Sequence, residues 1–184
     1  NLKGANLKGA NLSETNLEGA NLEGANLEGA EGVSSALHGV KANLAGANLT
    51  AGRVARVNLR GVDLRGLNLV GANLGGAYLY EMDLSGIDFS GAVLSAAEMY
   101  GSNLAGANLA GTDLTWANFT MANLEGANLE GANLTKAFLD GARLHGSNLT
   151  GVDLSEAQLV VPSADGCTTW PEGFDPVAAG VIFD

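Results

Sequence analysis

Ala122-Asn-Leu-Glu-Gly-Ala-Asn-Leu-Glu-Gly-Ala-Asn-Leu-Thr-Lys136 states one five-residue unit three times over. Outward from it, the same unit runs without insertion from Ala42 to Val161, twenty-four times. Its central position is Leu in twenty units and Val54, Phe89, Met99 or Phe119 in the others. An earlier block, Asn1 to Ala30, repeats it as NLKGA, NLKGA, NLSET and three copies of NLEGA. A period this strict decides the architecture before any local propensity does.

The phase of the unit says which side chains go inside. The residue two before each Leu is small or apolar almost throughout, as at Ala72, Ala77, Met82, Ile87 and Ala92. Positions two apart on an extended backbone share a side, and the Asn or Asp between them points the other way. Gly takes the fifth position in fifteen of the twenty-four units, where a corner requires unusual backbone angles. A helix of period 3.6 would smear this pattern around its circumference, and collagen needs Gly at every third residue. Short extended faces separated by corners, coiling so that like positions stack, remain: a β-solenoid.

These A(N/D)LxX units resemble the pentapeptide-repeat family, and runs such as NLEGANLEGANL are similar to those of its cyanobacterial members. The resemblance covers residues 1–161 apart from a break. It implies an all-β, right-handed quadrilateral parallel β-helix with four units per coil. About eight coils are expected, with a C-terminal capping tail at 162–184. At a strand spacing of ~4.8 Å they make a rod roughly 35–40 Å long. The register break lies near 31–43: Leu37 is followed seven residues later by Leu44, where five is expected. A two-residue bulge around His38 to Lys41 restores the phase, as a surface loop or as a seam between two repeat blocks.

Repeat stacks need capped ends. Pro162 ends the period, and the tail supplies Trp170 and Phe174; tails similar to WPEGFDPVAAG terminate family members. These two residues are expected to cover the terminal strands. The chain starts at Asn1, inside a repeat and without Met. Either residues precede it or this open end packs on a partner, and self-association through a coil end is one form of that.

Composition narrows the function. One Cys, Cys167, excludes an internal disulfide framework, and no apolar run approaches a membrane span. A cytoplasmic location is expected, with lumenal or periplasmic ones open because of the missing start. The two His residues, His38 and His145, fall in different blocks, and no metal-ligand or nucleophile–base constellation is spaced as chemistry requires. The glycines are corner residues without the strand–loop–helix context of a phosphate cradle. No enzyme, cofactor, metal or direct nucleic-acid binding is expected.

Two surface features point to partners. The first is the formal net charge of −11. The resemblance implies an alternative function here, because acidic family rods bind DNA gyrase as mimics of a DNA duplex. Mimicry needs carboxylates in rows. Assigned to four faces, Asp63, Asp83 and Glu125 fall on the first; Asp88 and Glu130 on the second. Asp113, Asp153 and Glu156 fall on the third, and Glu81, Glu98 and Asp140 on the fourth. No face dominates, and Arg53, Arg56, Arg60 and Arg65 band neighbouring corners.

The second feature is aromatic. Tyr78, Tyr80, Tyr100, Met121 and Phe138 all fall on the fourth face, the one centred on Leu59, Leu79, Met99, Phe119, Leu139 and Leu159, and Trp116 sits at the corner leading to it. Tyr80 and Tyr100 are expected to stack on adjacent coils. Outward positions tolerate almost any polar residue, so an apolar concentration on one face marks an interaction surface; cross-coil stabilisation is the competing explanation. The leading expectation is a non-catalytic structural or protein-interaction scaffold, its protein partner unknown.

Overall fold

The computed structural model describes residues 1–17, 19–33, 58–60, 63–65 and 69–183. Leu37, His38, Lys41, Leu44, Arg53 and Arg56, and with them the expected seam, lie outside the described residues.

A twenty-residue parallel ladder organises the described chain. Asn58 bridges Tyr78, Tyr78 bridges Glu98, and so on through Asn118 and Phe138 to Gln158; Asn6 pairs with Asn26 in the same way. Twenty residues are four five-residue units, so each coil turns four corners. The corner is a β-turn whose 1→4 bond runs from the amide before one Asx to the preceding Leu carbonyl, as in Ala77 N–H to Leu74 O at 2.9 Å. Its third residue has positive φ, as at Gly76 (69°), while its second does not, which makes it a type II turn.

A corner every five residues leaves one bridging residue per side, so regular strands are short. Among the described residues they are β1 (Ser163–Ala164) and β2 (Ile182–Phe183), paired in parallel. Stability along the coils comes from stacked backbone bonds instead. Leu74 N donates up to Val93 O at 2.8 Å, and Val93 N donates back to Ala72 O at 2.9 Å.

The interior is a column of central Leu residues with Ala between them. Leu74, Leu94, Leu114 and Leu134 are all fully buried, as are Phe89, Met99 and Phe119. Where Ser102, Thr112 or Ser147 replaces the inward Ala, its hydroxyl is buried and donates to the turn carbonyl three residues back, at 2.6–2.7 Å. That bond removes the cost of burying an unpaired hydroxyl.

The outward Asn and Asp do more than face solvent. Each Oδ1 accepts the amide two residues on, as Asn128 does from Glu130 N at 3.2 Å, closing an Asx turn at the corner. The amide nitrogens then form ladders between coils: Asn108 donates to Asp88, Asn128 to Asn108 and Asn148 to Asn128, at 3.0–3.3 Å. Asp closes the turn equally well but has no donor, so Asp88 and Asp83 sit at the N-terminal foot of their ladders.

At the C-terminal end Ser163 rests on Arg143 and Thr169 on Asn148, continuing two columns. Strand β2 then covers β1, with Ile182 N donating to Pro162 O at 2.9 Å. Trp170 packs partly buried against the core and stacks on Phe174 at 5.3 Å. The repeat motif is lost after Ala30, and there Gly32 takes the place of a central Leu. Its φ is 70°, and a Cβ would lie 2.5 Å from Ser13 N, so the backbone of the preceding coil approaches too closely for any side chain.

Candidate interaction face

The fourth face runs up the bridge column Asn58–Tyr78–Glu98–Asn118–Phe138–Gln158. Tyr100, Trp116 and Met121 are exposed on it at 46%, 52% and 62%, while Tyr78, Tyr80 and Phe138 are half-buried. The structure therefore brings all six sequence-predicted residues to one side of the coil.

Their mutual contacts differ from the expected stack. The ring of Tyr80 meets Tyr78 edge-on at 6.0 Å and carries the Arg60 guanidinium 4.8 Å from its centroid. Among the described residues, Tyr80 has no ring contact with Tyr100. The reason is electrostatic: Arg60 occupies the same column one coil earlier, and a cation over a π-face competes well with a parallel ring. Arg60 is fixed there by Glu81, at 2.9 Å. Higher up, Trp116 lies 6.5 Å from Phe138 and holds Lys136 Nζ 5.1 Å from its ring, with Glu156 beyond at 3.6 Å. Met121 lies across Gly141: a Cβ at 141 would be 2.5 Å from its sulfur.

The corners set this face apart more sharply than its rings. Among the described residues from 69 to 161, every non-glycine with left-handed φ belongs to a corner bordering the fourth face. They are Ala96, Trp116, Lys136 and Glu156 on one edge, and Glu81, Met121 and Val161 on the other. Corners bordering only the other faces, from Gly71 and Gly86 to Gly146 and Gly151, are all Gly. An L-residue in that conformation costs of order 1–2 kcal/mol. Between 69 and 161 the described chain accepts that cost on one side only, and in exchange projects side chains there; Glu14, with φ of 65°, accepts it in the earlier block. Sequence reading that treats the fifth position only as a turn misses Glu81, Lys136, Glu156 and Val161. The signal was present as glycine missing from the fifth position in alternate pairs of units.

The acidic residues are organised differently. Above Asp83 its column continues as Asn103, Asn123 and Arg143, and above Asp88 as Asn108, Asn128 and Asn148. Arg65 bonds Asp63 at 2.9 and 3.0 Å, and these bonds, together with the Arg65 amide, hold the Asp63 carboxyl down at about 2. Asp83, Asp88 and Asp153 are lowered chiefly by the side-chain hydroxyls and then the amides of Ser85, Ser90 and Ser155. Asp165 is lowered chiefly by the Gly146 amide. The described arginines Arg60 and Arg65 are thus both in ion pairs, while Arg53 and Arg56 lie outside the described residues.

His145 stands one coil above Glu125, its Nδ1 3.7 Å from the carboxylate that also pairs with Arg143. Described residues gather no group of three His, Cys, Asp or Glu able to hold a metal ion. A cavity of about 280 Å³ opens between Val152–Ser155 and Pro171–Phe174 under the C-terminal tail. Among the described residues no helix is long and apolar enough to cross a membrane.

Comparison with known proteins finds one repeat family. Pentapeptide repeats match in eight copies, over residues 1–31, 42–79, 72–109, 83–120, 97–135 and 127–160. Similar solved structures include HetL, a pentapeptide repeat protein involved in heterocyst differentiation regulation from Nostoc sp. strain PCC 7120. It is 28% identical over 86% of this chain and 84% of its own, with a TM-score of 0.43. Rfr23 from the cyanobacterium Cyanothece 51142 is 29% identical over 90% of each chain, at 0.37. QnrB1, a plasmid-mediated fluoroquinolone resistance protein, is 18% identical over 91% and 92%, at 0.41. No curated protein matches the chain.

Proposed function

The chain belongs to the pentapeptide-repeat family, and on that premise we propose that it is a non-catalytic scaffold that binds protein through its fourth face. With membership we also assign it the right-handed, quadrilateral form of the parallel β-helix. One observation carries the functional reading: among the described residues from 69 to 161, side chains replace glycine at left-handed corners only along the two edges of the face that also bears the exposed rings. Stability alone favours glycine at every such corner, so the side chains there answer to something other than the fold. Exposed Tyr, Trp and Met are the residue types that anchor protein interfaces.

Mimicry of DNA would need rows of carboxylates. The Asn residues stacked above Asp83 and Asp88 supply neutral rungs instead, which supports the protein-binding reading. Affinity capture from an extract of the source organism tests it. Wild type is compared with a Tyr78→Ser, Tyr80→Ser, Tyr100→Ser variant and with Glu130→Ala on the opposite face. The expected result is a protein retained by wild type and Glu130→Ala and lost by the triple variant. Retention by the triple variant would remove the fourth face from the binding reaction, and if the retained protein were gyrase the mimic reading would replace this one.

A further inference from the structure

The stacked bonds that build the coil stop one rung short on the third face. Between the last two coils there, Asp153 N donates to Ala132 O at 3.1 Å, Leu134 N to Asp153 O at 2.8 Å and Lys136 N to Ser155 O at 2.9 Å. One coil higher the equivalent groups are Val152 O, Leu154 N and Glu156 N, and among the described residues no hydrogen bond reaches any of the three. The first and second faces are carried on by Ser163 above Arg143 and Thr169 above Asn148. On the third the tail stands off through a turn, closed by Phe174 N on Pro171 O at 3.1 Å, and leaves the cavity of about 280 Å³. Leu154 beneath it is only partly buried, whereas Leu74, Leu94, Leu114 and Leu134 in the same column are fully buried.

We propose that this groove binds an extended peptide, added to the third face as one more parallel strand and carrying Arg or Lys beside Asp153. Amides and carbonyls left unpaired at strand spacing are matched by a peptide backbone, which is how open sheet edges take up partners. Placed one coil above Asp153, the first residue of the peptide donates its N–H to Val152 O and accepts from Leu154 N with its own carbonyl. The carbonyl two residues on accepts from Glu156 N. The residue between turns its side chain inward, where an apolar group covers Leu154 and completes the column. At the same end of the coil β2 already adds to β1 in this parallel sense. The groove lies off the fourth face and is independent of the binding reading above.

Charge selects the first side chain of the peptide. It points outward, continuing the column of Asp113, Asn133 and Asp153. Asp153 on one wall and Glu172 on the other supply two carboxylates, and the lining includes no cation. The Ser155 hydroxyl and amide hold the Asp153 carboxyl below the usual aspartate range, so it is ionised at neutral pH. Lys136, on the neighbouring corner, is paired with Glu156. Arg or Lys is therefore drawn to both walls, and Glu is repelled by them. The motif recognised is a basic residue followed by an apolar one.

Amide NMR on the full chain tests the proposal, with the acetylated and amidated peptide Gly-Ser-Arg-Leu-Ser-Gly as probe. Before peptide is added, the Leu154 and Glu156 amides should exchange with solvent on the order of a hundredfold faster than those of Leu134 and Lys136. Saturating peptide should slow both about tenfold or more. Methylating the Arg nitrogen of the peptide removes the donor to Val152 O and should weaken binding about tenfold; Glu in place of Arg should weaken it similarly. The double variant Asp153→Asn, Glu172→Gln should lose the preference for Arg over Glu and keep its coil, since Asn133 closes the same turn one coil below. Unchanged Leu154 exchange at saturation, or equal binding of the N-methylated peptide, would overturn strand addition. A double variant that keeps the preference would overturn the role of the two carboxylates. A Leu154 amide protected before any peptide is added would overturn the open edge itself. The chain's own tail then fills the groove if protection ignores protein concentration, and a second copy does if protection grows with it.

Discussion

Ala96 and Gly106 occupy equivalent corners two units apart, with φ of 55° and 65°, and replacing each by the other's residue should shift stability in opposite directions. At Gly106 an added Cβ meets nothing within 4 Å, so space is no obstacle. The cost of Gly106→Ala is then conformational, about 1–2 kcal/mol for an L-residue held left-handed. Reduced freedom of the unfolded chain offsets about 0.4–1 kcal/mol of that, leaving a net loss of about 1 kcal/mol. Ala96→Gly reverses both terms and should gain about the same amount. In a chain of this size 1 kcal/mol moves the melting midpoint by about 2–4 °C. Circular dichroism melts of both variants measure it, with amide exchange at the flanking rungs reporting the local effect, because stability in a coil stack is local. A Gly106→Ala protein as stable as wild type would refute the claim that corner glycines are kept for backbone conformation. It would also remove the argument that side chains at the fourth-face corners are held at a cost.

Two further outcomes follow from the core and the carboxylates. Leu109→Ala, at a fully buried rung, should destabilise by about 2–5 kcal/mol through lost burial and a residual cavity, read from chemical denaturation; a loss under 1 kcal/mol would contradict the packed column. On acidification, groups whose folded pKa is depressed contribute stability above the unfolded value, and that contribution is lost as pH falls through the folded one. For Asp63 the window runs from the ordinary aspartate value of 3.8 down to about 2. NMR titration of the carboxyl carbons should find Asp63, Asp83, Asp88, Asp153 and Asp165 all protonating below the ordinary aspartate range.

The coil was legible from the sequence because its period is commensurate with its geometry. Leu74, Ala77 and Leu79 announce their burial by spacing alone, whereas counting by twenty, and with it the fourth face, came from the family resemblance and not from the five-residue period. What the period cannot encode is the direction in which a surface side chain leans. The Tyr80 ring turned toward Arg60 instead of Tyr100 because the coil beneath offered a cation. The ladder from Asp88 through Asn148 was hidden for a related reason: Asn and Asp are equivalent to a pattern of outward polar residues, and only the donor on Asn separates them. The pairing of β2 with β1 had no sequence signal, since the tail after Pro162 carries no repeat to set a register. The corner segregation was readable in principle. It needed the fifth position to be sorted by face, with a side chain there counted as an exception to be explained.

The central claim is that the fourth-face corner side chains serve binding and not the fold. Its most direct test is binding by a variant with Ala96, Trp116, Met121, Lys136 and Glu156 all changed to Gly, compared with wild type by capture, with its melting midpoint as the fold control. The account predicts a coil that melts no earlier than wild type and has lost its association. A variant that binds as wild type does would contradict the claim, and so would one that unfolds at lower temperature because those side chains were holding the coil together.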